Sequence, residues 1–157
     1  MKINFDGVAI LVASAWVGSM WAIAYIAAPV LFYALPDKAL AGMLAGKLFA
    51  VLANVGMACA VFLLIYIGLQ NGKKSITQAV FWFVALMLLL TTLGQFILQP
   101  ILADLKVLAM PHYVMESPYA DRFRFWHGVA SVVYLVQSVC GAALLLKMNA
   151  AMGRGKG

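Results

Sequence analysis

The chain has 157 residues, of which 66% are hydrophobic and only 10% charged, and its mean hydropathy is +0.99. Soluble domains are roughly half apolar and about a quarter charged, so a water-soluble globule is excluded and the bilayer must serve as solvent for the outer surface. The net charge of +6 is scattered over the ends of apolar runs, with no basic patch interleaved with aromatics, which excludes a nucleic-acid partner and points to membrane lipids.

A helix needs about 20 apolar residues to cross the hydrocarbon core with its backbone groups bonded internally. The first such run extends from Val8 to Leu35 without a charge and is closed by Pro36 and Asp37. The triplet Ala13-Ser14-Ala15 resembles a signal-peptide cleavage site, but only five apolar residues precede it and the run continues. The segment is therefore expected to stay as an anchor. Asp37 is the expected N-cap of the second helix, and Asn71-Gly72 its stop, since glycine tolerates the left-handed turn after a helix.

Ser75 to Gln78 reads as a capping box for the third helix, in which Pro100 predicts a kink. Ser117-Pro118 opens the fourth helix, with Pro at its first position. The expected fold is all-α: an integral membrane bundle of four transmembrane helices at about 8–35, 38–70, 76–109 and 118–148. They form one domain over 1–150 without an internal repeat, followed by a disordered tail, 151–157. Cys59 and Cys140 lie inside apolar runs with no C-x-x-C spacing and read as small buried hydrophobes.

Four spans put both termini on one side. That side and its Lys73-Lys74 loop carry six basic residues against five on the other. The rule that basic loops stay inside then gives a multi-pass protein of the bacterial inner (plasma) membrane with both termini cytoplasmic.

The few polar residues form stripes. Lys47 and Asn54 share a face of the second helix, Thr92, Gln95 and Gln99 share one of the third, and Arg124, His127, Ser131, Tyr134 and Ser138 one of the fourth. The topology puts Lys47, Asn54, Gln95, Gln99, Arg124 and His127 in the same, non-cytoplasmic half, so they are the expected lining of an outward-facing polar pocket. Arg122 and Arg124 also suit plain interfacial anchoring, because long side chains snorkel. His127 sits inside its run and is either a hydrogen-bonded core histidine or a ligand-handling group. Met110, His112 and Met115 are three soft or borderline donors within six residues, a set that suits Cu(I) and would make copper the implied cofactor. Small-residue steps at Gly42-x-x-x-Gly46 and Gly56-x-x-x-Ala60 allow close helix contact, within the bundle or at a homo-oligomer seam.

The sequence contains no G-x-S-x-G, H-E-x-x-H or P-loop, and its carboxylates lie at helix ends and in loops, so no enzyme activity is expected. A bis-histidine haem would need a second embedded histidine, and His112 lies in a loop.

The blocks Trp16-x-Gly18, Pro29-x-Leu31-Phe32, Leu35-Pro36, Ala41-Gly42 and Ala45-Gly46-Lys47-Leu48-Phe49, with Phe123-x-x-Trp126-His127-Gly128 at the last helix, resemble the transmembrane protein 205 family. Trp126 stands where that family has Leu, and Tyr134 where it has Asn. The resemblance covers about residues 8–146 and implies four transmembrane helices. Through a distant similarity to the copper-resistance protein D group it also implies soft-metal handling. Two functions follow as expectations. One is transport or handling of a small ligand or soft metal ion in the polar pocket. The other is a non-catalytic accessory or assembly subunit of a larger membrane complex.

Overall fold

The computed structural model describes residues 7–153, with side chains through Ala151. Four of its helices are long and apolar enough to cross a membrane, the expected fold class. We number them α1 (Gly7–Ala34), α2 (Lys38–Asn71), α3 (Ala79–Ala109) and α4 (Ala120–Gly153). α4 runs past the expected end near 148, and the part of the expected tail from Arg154 onward lies outside the described residues.

The helix ends follow local chemistry. Asp37 Oδ1 accepts the backbone N–H groups of Ala39 at 2.8 Å and Leu40 at 3.0 Å, satisfying two donors that the first turn of α2 cannot pair. Gly72 ends α2 at φ +52°, in the region that disfavours side chains. The capping box expected at Ser75 is replaced by a 3-10 run, Gly72–Thr77. There Ser75 Oγ donates back to the carbonyls of Ile67 (3.1 Å) and Gly72 (2.6 Å), so it is not free to cap α3. Ser117 Oγ accepts from the Tyr119 N–H at 3.2 Å in the turn that leads into α4, but α4 starts only at Ala120, so Pro118 is not its first residue as expected.

The helices form a ring in which each packs on its sequence neighbours and α4 closes against α1. The packed core fills only the half nearest the described termini. Trp16, Val17 and Met20 of α1, Leu63 and Ile67 of α2, Val84 and Met87 of α3, and Leu144 and Met148 of α4 are fully buried there. Lipid is as apolar as these side chains, so close van der Waals contact must hold the helices together, and small residues permit it. A Cβ on Gly56 would stand 2.5 Å from Trp16 Nε1, and one on Gly141 3.0 Å from the Val17 methyls.

The inward face of α2 is therefore its small-residue face, with Ala41, Ala45, Gly56 and Ala60 buried. That choice turns Lys47, Val51 and Asn54 outward, correcting the expectation that Lys47 and Asn54 face the bundle interior.

At the opposite end, which carries the α1–α2 and α3–α4 connections, the ring parts. Residues 28–34 of α1 keep their main packing on α2, and residues 99–109 of α3 keep theirs on α4. The bundle thus divides there into two helical hairpins.

Each hairpin has the same break in its first helix. A π turn, Ile23–Ala27, precedes Pro29 in α1, and another, Gly94–Leu98, precedes Pro100 in α3. At Pro100, where a kink is expected, the helix carries this π turn. Proline's ring collides with the carbonyl four residues back, and one extra residue in the turn shifts that carbonyl aside. Pro29 produces the same solution, giving the two hairpins a structural likeness that sequence comparison within the chain does not reveal.

Candidate functional site

The space between the parted hairpins is a cavity of about 760 Å³, within the range of small-molecule sites. Its walls are mainly apolar, with Phe49 and Leu52 from α2, Leu90 and Leu98 from α3, and Val133 from α4. It starts beside Arg124 near the loop end and closes on the core at Trp16 and Met20.

Its floor is a satisfied polar layer. Buried Gln137 donates from Nε2 to Thr91 Oγ1 at 2.7 Å and also meets Met20 Sδ at 3.8 Å. Thr91 in turn donates to the Met87 carbonyl at 2.8 Å. Tyr134 donates to the Met20 carbonyl at 2.8 Å and meets Phe49 edge-on, with ring centroids 5.3 Å apart. Tyr25 donates to Ser138 Oγ at 3.0 Å. These bonds tie α1, α3 and α4 together just where apolar packing gives out.

Both π turns border the cavity through Ala24, Tyr25, Gly94 and Gln95. The Ala28 N–H bonds to Ile23 and the Gln99 N–H to Gly94, each five residues back. The carbonyls of Ala24 and Gln95 thereby lose the donors that a regular α-helix supplies. Those of Tyr25 and Phe96 lose theirs because the fourth residue on is proline. Gln95 Oε1, on the second π turn, is buried with no hydrogen-bond partner. Irregular backbone at membrane depth is tolerated where it borders a cavity or is buried in protein, as here.

The mouth is cationic. Lys106 Nζ lies 3.2 Å from the Gly42 carbonyl across the gap and 5.8 Å above the centre of the Phe123 ring. The other face of the cluster is His127, stacked on Phe123 with centroids 5.7 Å apart. Arg124 pairs with Asp121 at 2.9 Å, on the exposed rim. Among the described residues no Asp or Glu lines the cavity.

Of the residues expected at a polar pocket, Gln95, Gln99, Arg124 and His127 line this one cavity, together with Ser131 and Tyr134. Lys47 and Asn54 are exposed and lie outside it. Met115 is part of the wall, whereas Met110 and His112 are exposed beyond it. The three soft donors are thus not gathered at the cavity, and the described residues hold no cluster of three or more His, Cys, Asp or Glu able to bind a metal.

Lys106, Thr91 and Gln137 escaped the sequence reading. Lys106 had a signal, because Gln95, Gln99, Leu102 and Lys106 repeat at i, i+4, i+7 and i+11 on one helix face. Gln137 had none beyond being a polar residue deep in an apolar run.

No curated protein and no solved structure matches the chain. Residues 11–111 match a family model described as a domain of unknown function (DUF4149). The match takes in α1 to α3, with Gln95, Gln99 and Lys106, and stops before Arg124 and His127 on α4. Spanning well over half of the sequence, it establishes that the chain belongs to the DUF4149 family.

Proposed function

We propose that this protein binds a small molecule within the membrane, in the cavity between its two hairpins, and holds or passes it between the loop-end surface and the bilayer interior. The observation that supports this reading most is the division of labour along the bundle. One half is packed solid, while the other holds a cavity of about 760 Å³ with a cationic mouth and a hydrogen-bonded floor. A bundle needing only to fold would gain by filling that space, since unfilled volume forfeits van der Waals contact. In the orientation favoured by the basic residues, with both termini in the cytoplasm of a bacterial inner membrane, the mouth faces outward.

Native mass spectrometry of protein released from nanodiscs tests the reading. The unmodified chain should carry a discrete bound species that Ala53→Phe and Ala130→Phe, both cavity-filling, abolish. Equal occupancy in the filled variants, or none in the unmodified chain, would refute it.

The soft-metal version draws on the resemblance to the transmembrane protein 205 family and requires Met110 and His112 to join Met115. A Cu(I) competition titration against a chromophoric chelator decides it, retention lost on Met115→Leu being the supporting result.

A second reading, an accessory subunit of a larger membrane complex, is favoured by exposed Asn54 on the outer face of α2. An amide facing acyl chains is costly unless another helix bonds it. Co-purification of a partner that Asn54→Leu releases would support that reading. A lone band on native gels for both proteins would count against it.

A further inference from the structure

The structure assigns the cavity to a single-chain anionic amphiphile, its carboxylate or phosphate held between Lys106 and Arg124 and its hydrocarbon chain lying inward among Phe49, Leu52, Leu90 and Leu98. The inference rests on the ligand-binding reading above and names the class of ligand.

Charge is the first argument. Lys106 lies in a helix that crosses the membrane, lines a mostly apolar space, and has as its neighbours a carbonyl at 3.2 Å and an aromatic ring at 5.8 Å. Neither cancels a full positive charge, and a half-buried cation on an apolar wall keeps only part of its hydration, so an opposite charge there is favourable. The carboxylate that pairs with Arg124, Asp121, is 93% exposed. A pair so open to water is weak, which leaves the Arg124 guanidinium free to engage a second anion with its remaining donors. The site therefore presents two cations and, among the described residues, no carboxylate in its wall, an arrangement that an anionic head would complement.

Shape is the second. From Arg124 to Gln137 along α4 is about 20 Å at 1.5 Å per residue, somewhat more than half of the roughly 30 Å hydrocarbon thickness. The cavity thus starts at the interface with cations and ends near the midplane on a polar floor whose bonds are already made. A one-leaflet acyl chain with a charged head has the same profile. A compact polar solute would leave the walls dry, and a fully apolar one would leave Lys106 uncompensated.

The test uses the full chain in phosphatidylcholine nanodiscs and a palmitic acid bearing a mid-chain diazirine, cross-linked by light and mapped by peptide mass spectrometry. Adducts should fall on α3 and α4 segments that line the cavity. Palmitate should compete at least about tenfold better than methyl palmitate, the loss expected when a charge-assisted contact is removed. Lysophosphatidate and monopalmitoylglycerol repeat the comparison for a phosphate head, and the stronger anionic competitor identifies which head the site takes. Lys106→Met and Arg124→Gln should each lower labelling by the acid several-fold and leave labelling by its diazirine methyl ester unchanged. If esters and acids compete equally, the anionic assignment fails while ligand binding stands. If neither labels the cavity, both fail.

Discussion

Lys106 of α3 reaches across the parted end of the bundle to α2, its Nζ 3.2 Å from the carbonyl oxygen of Gly42. The contact spans a gap in the ring that apolar side chains do not fill, and it fixes where the cavity's positive charge sits. A Cβ at Gly42 or Gly46 would lie 4.0 Å or 3.9 Å from that nitrogen, ordinary contact distances that leave the reach intact.

The glycines of α2 should respond with opposite signs. A Cβ on Gly42 meets Phe32 at 3.6 Å, an ordinary contact, so Gly42→Ala should be neutral or stabilising by up to about 0.5–1 kcal/mol through helix propensity. A Cβ on Gly56 meets the buried Trp16 indole at 2.5 Å, and Gly56→Ala should cost about 1–3 kcal/mol by overpacking. Reversible unfolding in mixed micelles measures both, and equal effects would deny the close α1–α2 approach.

Asp37 should matter to the start of α2. Asp37→Ala removes the acceptor for two N–H groups and should cost about 1 kcal/mol. Asp37→Asn, which keeps an acceptor oxygen, should cost clearly less in the same assay.

The Gln137–Thr91 bond at 2.7 Å should show in a double-mutant cycle. Gln137→Leu and Thr91→Val together should be less harmful than the sum of the two, with a coupling of about 0.6 kcal/mol and at most about 1.7, as found for polar pairs inside membranes. Zero coupling would mean that the two side chains do not meet.

The spans were legible because length without charge is nearly sufficient to define a membrane helix, and Asp37 and Gly72 mark their boundaries with chemistry that acts within one turn. Orientation about the helix axis was less legible. In α2 the polar stripe at Lys47 and Asn54 suggested the inward face, but close contact between Gly56 and Trp16 outweighed it, because packing holds helices together where water exclusion cannot. On α3 and α4 the polar stripes do line the cavity, as Gln95, Gln99, Arg124 and His127 are the residues that the parted hairpins leave facing one another. The π turn before Pro29 was hidden because proline specifies that a helix must yield without specifying how.

The most direct measurement is the reactivity of single cysteines placed at neighbouring positions of α4, with Cys59 and Cys140 replaced by alanine. Ala130 lines the cavity, while Val132 is 61% exposed on the outside of the bundle. In nanodiscs, Ala130→Cys should react with a charged, lipid-insoluble thiosulfonate, and Val132→Cys, surrounded by acyl chains, should not. The reverse order, or two equally inert cysteines, would contradict a cavity open between the hairpins.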